Sequence, residues 1–237
     1  MPRERASALL VDLDGVLRRW DPEATAAVER RHGLPAGALY ETAMRWSLLQ
    51  PAVTGRLSHA DWLAGVADAL AEAAAGADRA GTADRAGTAD RAQAAVRAEA
   101  TANRAEAAVR AEAAVREWQA DRGTVDPEVL AFVREVRAAG IRVGLASNAT
   151  DLLDADLAQL GLTDEVDVVV NSSALGVAKP SREYFERACL AVGTPPAQVL
   201  FVDDEDRSVR GARVAGLSAY RWNGPADLRY LRAALAA

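Results

Sequence analysis

Asp12 and Asp14 stand one residue apart, and Gly15 follows them directly. Two carboxylates about 4 Å apart repel by roughly 4 kcal/mol at an effective dielectric near 20. A fold keeps such a pair where a cation neutralises it, or where one acid stays protonated to do chemistry. Further along, Ser147-Asn148 sets a hydroxyl beside an amide, Lys179 supplies an ammonium, and Asp203-Asp204 forms a second acidic pair with Glu205 and Asp206 behind it. A carboxylate nucleophile, a neighbouring acid, a divalent cation and fixed donors for phosphoryl oxygens make a phosphoryl-transfer site. Hard oxygen donors with few imidazoles and thiolates select Mg2+ over zinc. The sequence has no Gly-x-x-x-x-Gly-Lys-Ser/Thr loop and no Gly-x-Gly-x-x-Gly turn, which counts against nucleotide-driven and dinucleotide chemistry.

These groups need elements that bring them together. Ala8-Leu9-Leu10-Val11 is a short apolar run that reads as a buried strand, with Gly15 permitting a tight turn after it. Strands are expected at Arg142–Ala146, Val166–Val170, Val199–Val202 and Ser218–Arg221. Helices fall between them at about 151–160, 181–192 and 207–215, with a last one near 226–236, and an earlier one opens at Asp126-Pro127 and ends before Gly140. Such alternation implies an α/β fold with a Rossmann-like parallel sheet, which binds its ligands at the carboxyl ends of the strands. The acidic pairs, Ser147 and Asn148 lie at those ends, and Lys179 lies in a loop after one.

The first strand must join this sheet, so residues 20–122 are an excursion from it. The expected domains are a core of residues 1–19 and 123–237 and an inserted α-helical cap of residues 20–122. In the cap, Asp21-Pro22 reads as an N-cap and first helical residue. A second helix is expected from Ala36 to Leu49 and a third near Ser58, where Ser58-x-x-Asp61 resembles a capping box. Residues 77–117 are a low-complexity, Ala/Arg-rich insert: Ala-Asp-Arg-Ala-Gly-Thr occurs at 77–82 and 83–88, and Ala-Val-Arg-Ala-Glu-Ala at 95–100 and 108–113. A six-residue period rotates successive copies by about 240° on a helix, so no continuous apolar stripe is expected. The insert reads as frayed around Gly81 and Gly87, then as a solvated helix to about Trp118.

With 237 residues, half of them hydrophobic, the chain can bury a sizeable core. A net charge of −6 argues against a nucleic-acid or acidic-membrane surface. No apolar stretch approaches membrane-spanning length and no signal-peptide pattern is seen, so a cytoplasmic monomer or homodimer is expected, with no nucleic-acid or membrane partner. Cys189 fits the apolar face of a helix with Tyr184, Phe185, Ala188 and Val192, as a small core residue. His32 and His59 have no partner motif and read as surface or cap residues. Of 28 basic residues, 27 are arginine, and Lys179 is the one lysine. Its compact ammonium differs physically from a planar guanidinium at a tight anionic site.

Four segments resemble the haloacid dehalogenase-like (HAD) hydrolase superfamily: Val11-Asp12-Leu13-Asp14-Gly15-Val16, Ala146-Ser147-Asn148-Ala149, Gly176-Val177-Ala178-Lys179-Pro180 and Leu200-Phe201-Val202-Asp203-Asp204. The resemblance spans roughly residues 7–21 and 125–224, the cap agreeing in position and helical character. It implies a Mg2+-dependent phosphatase acting on a small-molecule phosphate monoester through an aspartyl-phosphate. Asp12 would attack phosphorus, and Asp14 would protonate the leaving oxygen and then deprotonate water. Ser147, with Asn148 beside it, would hold the phosphoryl group, and Lys179 would neutralise charge. Mg2+ would be bound by Asp204, the Asp12 carboxylate and the Asp14 carbonyl, with support from Asp203.

The resemblance also narrows the reaction. Dehalogenases of the family lack an acid at the position of Asp14, since a halide leaves without a proton. The phosphonate-cleaving branch needs a cap lysine, which residues 20–122 lack. Two alternatives stay open: a phosphomutase of the β-phosphoglucomutase kind, and a non-catalytic binding or scaffold protein on the same fold. Arg18, Arg19, Arg45, Arg56 and His59 are candidate substrate contacts, and Trp20, Trp46 and Trp62 a candidate apolar surface. Ser208 stands where relatives often carry asparagine.

Overall fold

A computed structural model describes residues 6–82 and 90–235. The strands are β1 (Ala8–Val11), β2 (Arg18–Arg19), β3 (Thr124–Val125), β4 (Arg142–Ser147), β5 (Val168–Asn171), β6 (Val199–Asp203) and β7 (Ser218–Arg221). Five of them form one sheet in the order β5-β4-β1-β6-β7, and every pairing in it is parallel. β1 lies at the centre, with Val11 level with Leu145 of β4 and Val202 of β6. The carboxyl ends therefore line up along one edge, and Asp12, Ser147, Asn171 and Asp203 stand on it.

A parallel sheet must be covered on both faces, and the side chains of β1 show how. Leu9 and Val11 join Leu145, Val202, Phe132, Val133 and Leu153 in one core layer, under the helices Pro127–Ala138 and Leu153–Gln159. Ala8 and Leu10 join Phe201, Tyr184, Phe185 and Cys189 in the other, under Arg182–Val192 and Asp206–Val214. Cys189 is a core residue, and burial, followed by the nearby Glu186, pushes its thiol up to about 11. Asp126 starts its helix as the residue pattern predicts, accepting from the N–H groups of Glu128 and Val129 at 2.9 and 3.2 Å.

The chain divides into two compact units. The first holds the sheet and comprises Met1–Trp20, Pro51–His59 and Arg122–Ala237; the second comprises Asp21–Gln50 and Ala60–Asp121. Pro51–His59 thus clusters with the sheet, although the sequence reading assigns it to the cap. A two-stranded antiparallel ladder, β2 with β3, sits beside the points where the chain first leaves the first unit and last returns to it. Strands this short carry no readable period, and they are absent from the sequence expectations.

In the second unit, Asp21 caps the helix Pro22–Arg31 by accepting from Glu23 N–H at 2.9 Å. The single helix expected over Ala36–Leu49 is two, Ala38–Ala43 and Trp46–Val53. The break comes where Arg45 N–H turns back three residues to Thr42 O, tightening the last turn. Buried Glu29 accounts for the start of the first of them, accepting from Gly37 N–H at 2.8 Å and Leu39 N–H at 2.9 Å. The repeat-bearing helices are His59–Thr82 and Asp90–Trp118, with Gly81 in the last turn described of the first; Gly87 and the repeat copy at 83–88 lie outside the described residues. The second helix is not wholly solvated. Ala107, Ala111, Ala114 and Val115 are buried at helical spacing, and the helix packs on Pro22–Arg31. His32 closes that first helix and meets Glu117 at 2.8 Å, a structural role. Among the described residues, no helix is long and apolar enough to cross a membrane.

Candidate active site

The backbone at the tip of β1 is bound before any side chain acts. Asp12 N–H donates to Val202 O at 2.9 Å, and the N–H groups of Leu17 and Arg18 both donate to Leu13 O, closing a tight turn over residues 13–18. Gly15 takes φ +78° in this turn, and a Cβ there would lie 2.1 Å from Asp204 Oδ2. Glycine therefore satisfies two demands at once: left-handed backbone and room for a carboxylate.

The buried centre is an ammonium between two acids. Lys179 Nζ lies 2.9 Å from Asp12 Oδ1 and 2.6 Å from Asp203 Oδ2, with all three side chains nearly shielded from solvent. Burial alone would push the lysine down, but Asp12 and then Asp203 more than reverse this and hold it above the ordinary range. Burial raises Asp12 to about 8; Lys179 opposes that shift, while Asp203 adds to it. Asp204 is raised as well, first by burial and then by Asp203.

One ammonium does not balance this set. Carboxylate oxygens of Asp12, Asp203 and Asp204 approach within 4.8 Å of one another. Three close carboxylates against one lysine leave an excess of negative charge. All-oxygen donors with that excess fit a hard divalent cation.

Neighbouring residues hold the centre in place. The Asn148 amide accepts from Lys179 N–H at 2.8 Å and donates to Lys179 O at 3.0 Å, pinning the lysine backbone on both sides. Both polar ends of its side chain are thus engaged by a loop 31 residues away. Ser147 ends β4, level with Asn171 of β5, and is buried on the edge that bears Asp12. Tyr184 donates its hydroxyl to Val170 O at 2.8 Å beneath it. Asp203 Oδ1 accepts from Glu205 N–H at 2.7 Å, and the Ser208 hydroxyl donates to Glu205 at 2.7 Å. Ser208 thus orients the start of the helix that follows Asp204.

Asp14 lives differently from Asp12. Its carboxylate accepts from Arg18 Nε at 2.7 Å, from a terminal nitrogen of the same guanidinium at 3.0 Å, and from Trp20 Nε1 at 2.7 Å. Arg18 also donates to Asp156 at 3.0 Å. The structure therefore brings Asp12, Lys179, Asp203 and Asp204 together and leaves Asp14 beside them in a side-chain clamp.

The other named arginines and tryptophans scatter. Arg19 pairs with Asp126, while Arg56 lines a cleft of about 470 Å3 with Asp151, Asp154, Asn171 and Ser173. His59 meets Thr150 at 3.0 Å and donates its N–H to Asp151 at 2.8 Å. Trp62 is buried edge-on against Trp118, which removes it from any exposed apolar surface.

Comparison with known proteins gives these residues a setting. Residues 6–216 match the family described as haloacid dehalogenase-like hydrolase. A phosphatase of Mycobacterium tuberculosis is 36% identical over 96 residues, which are 40% of this chain and 44% of that protein. An (S)-2-haloacid dehalogenase of Xanthobacter autotrophicus is 38% identical over 80 residues, 34% of this chain and 32% of that protein. The matches thus span less than half the length of these curated relatives. A HAD family enzyme of Bacteroides thetaiotaomicron, solved with magnesium and inorganic phosphate, shares the fold at a TM-score of 0.60 and 18% identity, over 91% of this chain and 93% of that one.

Proposed function

This chain belongs to the haloacid dehalogenase-like hydrolase family, and we propose that it is a phosphatase that hydrolyses a small-molecule phosphate monoester through Asp12. The observation that carries this reading is Lys179 held between the Asp12 and Asp203 carboxylates, with Asp204 completing the acidic cluster. The relatives include both a phosphatase and a dehalogenase. Asp14 favours the phosphatase, because an alkoxide needs a proton on departure and a halide does not.

Leu13 N–H and Lys179 both donate to Asp12 Oδ1, so Oδ2 is assigned to the attack. Oδ2 forms a bond to phosphorus, the bond from phosphorus to the ester oxygen breaks, and the departing oxygen takes a proton from Asp14. Asp14 then takes a proton from water, whose oxygen bonds to the same phosphorus as the Asp12–phosphorus bond breaks. Inorganic phosphate leaves, and both aspartates return to their starting states. Lys179 offsets the negative charge that gathers between Asp12 and the phosphoryl oxygens, and Ser147 is assigned as a donor to one of those oxygens. Asp12, Asp204 and the Asp14 carbonyl, supported by Asp203, would hold Mg2+. Bound there, the ion would lower the repulsion between the phosphoryl group and the carboxylates.

The test is phosphate release from an aryl phosphate, with Mg2+ and with chelator, for wild type beside Asp12→Asn. Metal-dependent release that disappears in the variant supports the reading. Release that survives Asp12→Asn, or no release from folded, Mg2+-loaded wild type across a panel of phosphate monoesters, overturns it.

A further inference from the structure

Asp14 is the half-exposed member of the acid pair, and its direction is set by other side chains. The Arg18 guanidinium grips it with two nitrogens, a fork geometry that ammonium groups cannot reproduce. Trp20 adds a third donor to the same carboxylate, and the Arg18 guanidinium lies over the Trp20 ring, 4.5 Å from its centre.

Arg18 itself has little freedom. Its side chain is 5% exposed, and Asp156 holds the guanidinium from another side. Arg122, the first residue after the chain last returns to the sheet unit, reaches the other oxygen of Asp156 at 3.4 Å. Arg18 N–H donates to Leu13 O at 2.7 Å, its carbonyl accepts from Gly15 N–H at 2.9 Å, and β2 pairs it with Val125. A guanidinium fixed at backbone and tip imposes one direction on the carboxylate it grips. An ordinary surface ion pair would lack this property, since both partners would be free to turn.

We propose that Arg18 is the positioning residue for Asp14, and that with Trp20 and Asp156 it forms a clamp setting where the Asp14 carboxylate points during proton transfer. This role rests on the phosphatase reading, in which Asp14 moves the proton, and deepens it.

The experiment compares kcat/KM, with Mg2+, on two esters. One is an alkyl phosphate, whose leaving oxygen needs a proton; the other is 2,4-dinitrophenyl phosphate, whose leaving oxygen does not. Arg18→Met should cost about 100-fold on the alkyl ester, near the lower end of general acid–base contributions, and less than about threefold on the aryl ester. Arg18→Lys, which keeps the charge and loses the fork, should fall between. The double variant Arg18→Met/Asp14→Asn should be no slower than Asp14→Asn, because both changes remove one function. Equal losses on both esters, or losses that multiply in the double variant, would overturn the positioning role.

Asp12→Asn decides the phosphatase reading separately. The clamp also has a readout that needs no turnover. The Trp20 indole N–H resonance, identified by its loss in Trp20→Phe, should move in Asp14→Asn and in Arg18→Met. A resonance unmoved by Asp14→Asn would overturn the clamp even in an inactive protein.

Discussion

Asp12 and Asp14 are neighbours in sequence and opposites in setting. Asp12 is 7% exposed, its N–H bound to the adjacent strand and its carboxylate tied to a buried lysine. The Asp14 side chain is 41% exposed and gripped by side chains alone. Backbone and burial fix the first group, as the proposed attack requires. The second reaches solvent yet is held in one direction by the fixed Arg18 guanidinium, which suits the proton transfer proposed for it. One turn of chain therefore carries a buried carboxylate and a solvent-reaching one.

The sharpest way to break this contrast is to remove the buried member. Asp12→Asn should lower turnover by on the order of 10⁴-fold or more on every ester, as for other groups that carry covalent chemistry. A small loss would place the nucleophile elsewhere. Lys179→Met should come next. It leaves two buried carboxylates facing each other, so about 3–5 kcal/mol of stability should be lost along with activity, read by denaturant unfolding. Unchanged stability would mean that the ammonium does not hold the centre together.

Asp14→Asn should do less and should do it selectively. Roughly 10²- to 10⁴-fold should be lost on alkyl phosphates, with a smaller loss in kcat/KM on esters with good leaving groups. A uniform loss would make Asp14 a structural residue rather than a proton-transfer group.

The smallest expected effect is on pH dependence. Burial raises Asp12 above its unfolded value, so the folded state binds the extra proton. Its contribution to stability is therefore full below about pH 4 and is lost as pH rises through about 8. Metal-free wild type should lose thermal stability over that window relative to Asp12→Asn, and added Mg2+ should restore it at the upper end. A difference between the two proteins that does not change with pH would contradict this.

The strand tips were legible because a buried parallel strand reads as an apolar run, and a carboxylate directly after such a run stands out. Val11-Asp12 and Val202-Asp203 are such junctions. Lys179 was legible through its isolation among arginines, a property of the whole chain. Asn148 was harder, since its grip on Lys179 links residues 31 positions apart that no local pattern connects. Arg18 was harder still. In a chain this rich in arginine nothing in the sequence marks the one whose side chain is buried among the described residues, and its partner Asp156 lies 138 residues away. The alanine face of Asp90–Trp118 was missed for a related reason: alanine favours helix in solvent and close packing alike, so composition alone does not separate the two.

Whether Asp12 carries the phosphoryl group decides the mechanism. Wild type and Asp14→Asn should be mixed with an aryl phosphate and Mg2+, quenched in acid within the first turnover, and mapped by peptide mass. The prediction is a phosphoryl adduct on the peptide bearing Asp12, accumulating further in Asp14→Asn because water activation is slowed. A fully occupied turnover with no adduct on Asp12, or an adduct on another residue, would contradict it.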